Sequence, residues 1–360
     1  MTTPQQAAGT HTLNEVLSQP QVWRDCLHNL ETDGQLDRLG PQIAAGAELL
    51  FIGCGSSYYI AQAAAASWVW LTGRRARAVP ASELLLFPEL VLAGSGPCQP
   101  VLISRSGYTS EVLRAAEYLE SKRDIRTLAI SCADDQPLEK ISTATLYLLP
   151  AEEHSVVMTR SFTSMLLGLQ SLAAAVAGKA DFIAALRRLP AAAQKALDLM
   201  HPRIRKFVAS AEIEDYVFLS QGPLVGLAAE AQLKVKEMSC SYAQAYHSLE
   251  FRHGPKAIVS PKTLVTLLLS ESAYEAELEV LQETKELGGT TIVVANEGDA
   301  RADRFADLLL ELKLDVPEYA RLAAYAFVGQ LMGFYTGTRK GYDPDSPRNL
   351  SRVVILNSAG

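Results

Sequence analysis

The sequence predicts an α/β protein with parallel sheets flanked by helices, and three observations carry that expectation. Apolar runs of strand length alternate with helical periods along most of the chain. Their order repeats in the second half at a nearly constant offset, as a tandem duplication would leave it. Gly- and Ser-rich turns follow the first strands of the leading half, at the strand ends where open sheets place their ligands.

In the leading half, residues 48–52 (ELLFI) read as a strand, followed by a Gly-Ser turn and an Ala-rich helix. Residues 100–104 (PVLIS) form the next strand, then a polar loop and a helix over 110–122. Two further strands are expected at 126–131 and 144–149, with a polar helix between them, and a long helix over 159–177 closes the half. An Ala-rich helix over 180–202 connects the halves. Residues 215–220 (DYVFLS), 264–270 (LVTLLLS), 290–296 (TTIVVAN) and 306–312 then repeat the four strands. The first strands of the two copies start 167 residues apart, at Glu48 and Asp215.

Composition narrows the function classes. The 360 residues are 48% hydrophobic and 20% charged, enough apolar material to bury a sizeable core, which argues against wholesale disorder. A net charge of −7 offers no basic field for a nucleic-acid backbone, so no nucleic-acid partner is expected. The five cysteines (Cys26, Cys54, Cys98, Cys132, Cys240) are scattered without a CxxC pair, neither a disulfide framework nor a zinc site, and point to a reduced, cytoplasmic compartment. The first twenty residues lack a basic and an apolar region of a signal peptide, and no apolar run reaches the length of a membrane span. No His, Cys or carboxylate set has metal-ligand spacing, and no metal or cofactor is assigned.

Three stretches carry candidate chemistry. The loop Ser104-Arg105-Ser106-Gly107-Tyr108-Thr109-Ser110-Glu111 places hydroxyls, a glycine and a cation where a strand gives way to a helix. Backbone N–H groups and the helix dipole favour an anion there. Taken alone it reads as an ordinary N-cap. The neighbouring loop Gly53-Cys54-Gly55-Ser56-Ser57, also at a strand end, makes a phosphate-type crevice the better reading, although neither loop fits a dinucleotide or Walker pattern. The duplicated loop Ser270-Glu271-Ser272-Ala273-Tyr274-Glu275 carries carboxylates and no glycine, so one phosphate-type site per chain is expected.

The second stretch is the helix containing Glu230, Lys234 and Glu237, which fall within roughly 60° of one another at helical pitch. They read either as a surface ion-pair ladder or, inside their frame of Leu227, Leu233 and Met238, as a cluster suited to proton transfer or imine formation. The third is residues 249–256 (LEFRHGPK), where His253 is held at a turn ahead of Gly254-Pro255. By itself His253 reads as structural.

The motifs CGSS, ISRSGYTSE, VVMTRSFTS, EAQLKVKEMS, EFRHGP and DPDSPRNLSR, in that order, give the chain its resemblance to the SIS (sugar isomerase) proteins with two tandem domains. It is similar to the isomerase half of glucosamine-6-phosphate synthases and to stand-alone amino-sugar-phosphate deaminases and isomerases. The resemblance implies two flavodoxin-like, doubly wound SIS domains over 31–178 and 203–340, an entry helix region over 1–30, a linking helix over 179–202, and a tail over 341–360 that closes over the active site. It further implies that Ser104, Ser106 and Thr109 hold a sugar phosphate, with Arg105 beside them, and that Gly55, Ser56 and Ser57 form the first substrate loop. Val156 lies in the segment that lines the sugar. Glu237 would be the proton-shuttling base and His253 the ring-opening histidine, supplied to the neighbouring site of a homodimer. Lys234 would be the amine able to form an imine, Glu230 its acidic neighbour, and Arg352 the tail residue that closes over substrate.

Three departures qualify the likeness. Arg105 stands where the synthases have glutamine, and Met158 where they have serine. No amidotransferase domain precedes residue 15 and no cysteine follows Met1, so glutamine-independent chemistry is expected. The expected function is isomerisation and deamination of glucosamine- or galactosamine-6-phosphate to a ketose phosphate and ammonia. The alternatives are simple aldose–ketose isomerisation, deglycation of a fructosamine phosphate, and a non-enzymatic phosphosugar sensor.

Overall fold

The computed structural model describes residues 8–43, 46–93 and 96–356; residues 1–7 of the expected entry region and 357–360 of the expected tail lie outside the described residues. Ten described strands form two all-parallel sheets. The first comprises β1 (Glu48–Gly53), β2 (Ala76–Pro80), β3 (Cys98–Ile103), β4 (Leu128–Ser131) and β5 (Ala144–Tyr147), in the order β2-β1-β3-β4-β5. The second comprises β6 (Asp215–Ser220), β7 (Tyr242–His247), β8 (Thr263–Leu268), β9 (Thr290–Ala295) and β10 (Leu308–Glu311), in the equivalent order β7-β6-β8-β9-β10. Corresponding strands start 162–167 residues apart, so the duplication extends to every strand and to its place in the sheet.

One strand in each sheet, β2 and β7, is absent from the pattern of apolar runs. Both are edge strands, pairing only with β1 and β6 respectively. An edge strand keeps one flank solvated and need not be apolar. Ala76–Pro80 buries only Val79, and Tyr242–His247 only Ala243. The central strands read clearly because helices cover both faces: Glu48–Gly53 is buried at five of six positions and Thr263–Leu268 at all six.

By internal contacts the chain forms two compact units. Among the described residues, one holds the first sheet, built from Gln19–Glu153, Arg160–Pro190 and residues 351–356; the other holds the second sheet, built from residues 8–18, His154–Thr159 and Ala191–Leu350. In the first, Leu50, Ile52, Leu102, Val112 and Leu119 pack as one core; in the second, Val217, Phe251, Leu267, Leu278 and Val293 do so. Fully burying one such side chain stabilises by about 1.5–3 kcal/mol. The first helix, Thr10–Leu17, is tied to the second-sheet unit by Thr12, whose N–H and hydroxyl each donate to Asp345 Oδ1 at 2.7 Å.

The connecting helix runs over Ala180–Ser210, eight residues beyond the expected end at Pro202. An interior proline costs a helix about 3 kcal/mol. Burial of Ile204 and Val208 beyond it returns a comparable amount, so packing carries the helix through.

Candidate active site

In the first sheet, the chain runs from β1 out to β2 and then crosses to β3 on the other side of β1. That reversal is a topological switch point, where the loops leaving neighbouring strands diverge and open a crevice. The loops leaving β1 and β3 are the two singled out from sequence. Gly55 caps the helix Ser56–Thr72, with Ser56 and Ser57 buried at its start. In the second loop, Ser104 is buried, and its Oγ lies 3.2 Å from Thr109 Oγ1 and accepts the Gly107 N–H at 3.1 Å. Ser106 Oγ accepts the Tyr108 N–H at 3.2 Å. Gly107 has φ +71°, and a Cβ there would lie 1.9 Å from Gln136 Oε1, so only glycine fits this turn.

Thr109 occupies the N-cap position of the helix Ser110–Glu117 but makes no side-chain capping bond. The ordinary capping role open to this loop is therefore not what Thr109 performs; its hydroxyl is turned to Ser104. Arg105 is buried, with Nη1 3.3 Å from Glu153 Oε2 and Nη2 donating to the Arg352 carbonyl at 3.1 Å. Its charge is answered inside the fold by a carboxylate. Arg352 itself is half-exposed, donates to the Glu153 carbonyl, and has Glu152 at 3.6 Å.

Two buried acids that the sequence did not mark fix the segment between β5 and the helix Arg160–Val176. Within the first-sheet unit, Glu153 accepts from the Ser161 N–H at 3.3 Å and from the Ser161 hydroxyl. Within the other, Glu15 accepts from the His154 N–H at 2.6 Å and from both the N–H and the hydroxyl of Ser155. Val156 is half-buried next to this anchor, while Val157 packs with Met238 and Phe334. A carboxylate on otherwise unremarkable helix or loop residues leaves no periodic trace, which is why neither was found.

In the second-sheet unit, the helix Val225–Ser239 carries the Glu–Lys–Glu cluster. It is not a surface ladder. Lys234 is fully buried, its Nζ 3.1 Å from Glu230 Oε1 and 2.5 Å from Glu237 Oε2. Burial alone would push the Lys234 pKa down, but the charges of Glu230 and Glu237 outweigh it and hold the ammonium above its ordinary value. The ammonium pairs with both carboxylates and fixes them in place. Glu230 is 1% exposed and Glu237 18%, so Glu237 is the member that a ligand can reach.

The burial has a structural cause. The helix Leu322–Arg339 lies against this one along Gly329, Gly333 and Gly337; a Cβ on Gly333 would sit 2.6 Å from the Lys234 carbonyl, and one on Gly337 2.1 Å from that of Met238. His253 lies between the short turns Glu250–Arg252 and Pro255–Ile258, its side chain exposed. Phe251 anchors this loop in the core, and Ser248 donates to the buried Glu277 at 2.8 Å.

Two parallel five-stranded sheets of equivalent order, a hydroxyl loop at a switch point and a buried acid–amine cluster together describe a known architecture. The SIS domain model matches residues 43–175 and 217–334, one match on each sheet. The chain belongs to the SIS domain family. Among relatives, a Streptomyces coelicolor protein with the provisional name D-galactosamine-6-phosphate deaminase AgaS is 30% identical over 374 residues, covering 98% of this chain and 96% of that one. The crystal structure of a glucosamine-6-phosphate deaminase from Thermotoga maritima superposes with a TM-score of 0.77 at 28% identity, covering 96% of this SIS chain and all of that one. The tagatose-6-phosphate ketose/aldose isomerase from Escherichia coli shares the fold, with a TM-score of 0.84 at 23% identity and 99% coverage of both chains. Glutamine–fructose-6-phosphate aminotransferases also match, but the chain spans only 57–58% of their length. Among the described residues no helix is long and apolar enough to cross a membrane.

Proposed function

We propose that this SIS protein is an amino-sugar-phosphate deaminase/isomerase of the cytoplasm, acting on glucosamine- or galactosamine-6-phosphate. The observation that carries the reading is the buried Glu230–Lys234–Glu237 cluster with Glu237 alone open to ligand, since a module that only binds phosphosugar has no use for a poised base. The two deaminase relatives support the amino-sugar substrate.

In this reading Ser104, Ser106 and Thr109 hold the phosphate, and Gly55, Ser56 and Ser57 form the first substrate loop. His253, supplied to a neighbouring site in a homodimer, opens the ring to the free aldehyde. Glu237 takes the proton from C2 and returns it to C1, leaving an imine at C2. Water adds to the imine, and the ketose phosphate and ammonia depart. The net change is amino-aldose phosphate plus water to ketose phosphate plus ammonia, with no oxidation, so the steps draw on acid–base side chains. Lys234 holds Glu237 in place through its ion pair, and Glu230 completes that pairing.

Ammonia release across a panel of amino-sugar 6-phosphates and plain ketose phosphates tests the reading. Ammonia from an amino sugar supports it. Interconversion of aldose and ketose phosphates without ammonia would leave the second reading, an isomerase, which the E. coli fold relative makes reasonable. Binding without turnover would leave a sensor. For the shared site, mixing His253→Ala with Glu237→Gln chains should restore activity in hybrid dimers, and no rescue despite subunit exchange would assign His253 to its own chain.

A further inference from the structure

We propose that Arg105 is a positioning residue that fastens the segment Arg352–Leu356 onto the loop Ser104–Ser110, and that this fastening sets the loop's grip on phosphate. The inference rests on the reading of that loop as the phosphate site. It assigns Arg105 to the tail rather than to the ligand.

The argument begins with burial. Arg105 is 7% exposed, and its guanidinium reaches both Glu153, with Nη1 3.3 Å from Oε2, and the tail, with Nη2 donating to the Arg352 carbonyl at 3.1 Å. Arg352 answers by donating its own Nη2 to the Glu153 carbonyl. Three residues distant in sequence thus close a ring, with the carboxylate neutralising the buried cation. The planar fork of arginine presents two nitrogens at once, which a lysine ammonium on a flexible stem does not reproduce.

Beyond the ring, the tail continues onto the loop. The Ser110 N–H donates to the Val354 carbonyl at 3.3 Å, and the Leu356 N–H donates to Ser110 Oγ at 3.0 Å. Ser110 is the first residue of its helix, so these bonds occupy donor and acceptor groups at the end of the phosphate loop. With the tail fastened, Ser110 belongs to the tail, and the hydroxyls of Ser106 and Thr109 and the helix end are held in one arrangement. With it released, the loop pays the ordering cost when ligand binds.

The test uses the full chain and two readouts: the rate at which trypsin cuts after Arg352, identified by mass, and the affinity for inorganic phosphate by calorimetry. Arg105→Gln should speed cleavage and weaken phosphate binding, each about tenfold, as expected for losing one charge-assisted bond. Leu356→Pro, which removes the N–H given to Ser110, should do the same, and the double variant should add little to either single one. Affinity losses that multiply in the double variant would place Arg105 on the ligand and overturn the proposal, as would unchanged cleavage. Should Arg105→Gln fail to fold, Arg105→Lys keeps a charge beside Glu153 and should still release the tail; wild-type cleavage in that variant would overturn the proposal equally. Ser106→Ala separates the two claims. Unchanged phosphate affinity there rejects the phosphate loop itself, while the cleavage readout continues to decide the role of Arg105.

Discussion

The loops that leave β3 and β8 occupy the same place in two copies of one sheet, and in sequence they align residue for residue, SRSGYTSE at 104–111 against SESAYEAE at 270–277. Gly107 has φ +71°, whereas its counterpart Ala273 has φ −110°, so the two backbones part at this residue. Arg105 becomes Glu271 and Thr109 becomes Glu275. The second loop lines a cavity of about 800 Å³ together with Glu297 and Asp299, a space that carboxylates close to a phosphate. Glu277 at its base is buried and accepts from Ser270 N–H at 2.8 Å, Ser270 Oγ at 3.0 Å and Ser248 Oγ. The duplicated scaffold therefore kept its strands and diverged at a few loop positions: one copy retains a turn able to receive an anion, and the other uses its acid to brace the loop that bears His253.

The comparison is most severely tested by transplanting its difference. Thr109→Glu places the second copy's charge in the first, and phosphosugar affinity should fall by more than about a hundredfold, since facing like charges cost several kcal/mol; calorimetry showing an affinity within tenfold of wild type would break it. Glu237→Gln should keep binding but lose roughly a hundredfold or more in turnover, because the amide keeps the shape and lacks the basicity. Near-normal turnover would remove the base from the proposed mechanism. Ser106→Ala and Thr109→Ala should each weaken binding roughly tenfold to a hundredfold, while Ser272→Ala, the second copy's equivalent of Ser106, should leave it unchanged.

The smallest effect is one of pH. Burial pushes the Glu277 pKa up to about 7, against the pull of its hydroxyl and N–H partners. A carboxyl raised above its unfolded value binds its proton more tightly when folded, so its contribution favours the fold at low pH and is lost as pH rises through about 7. Glu277→Gln should flatten that dependence. Thermal melts from pH 5 to pH 8 would show the variant's Tm rising relative to wild type across the range, and parallel curves would refute the assignment.

Much of this was legible because it is periodic or local. The central strands announce themselves as apolar runs, the duplication as a repeated offset, and the Glu230–Lys234–Glu237 arc as helical spacing within an apolar frame. What escaped depends on partners remote in sequence. The edge strands Ala76–Pro80 and Tyr242–His247 are defined by pairing rather than by hydropathy. The acids Glu15, Glu153 and Glu277 gain their meaning only from the N–H and hydroxyl groups folded around them. Helical spacing brings Lys234 near Glu230 and Glu237, but its complete burial between the two carboxylates depends on the glycine-lined helix packed against it from far along the chain.

The glycines facing the Lys234 helix carry a consequence for how this protein tolerates change. Because the Lys234 carbonyl lies where a methyl on Gly333 would go, the helix bearing Glu237 has no room to slide or roll, and its carboxylate is placed when the chain folds. Selection acting on the reaction would then fall partly on residues that meet no ligand. In a saturation screen scored by activity, Gly333 and Gly337 would look as intolerant as Glu237, yet their failures would appear as lost soluble protein, while those of Glu237 would appear as intact, idle enzyme.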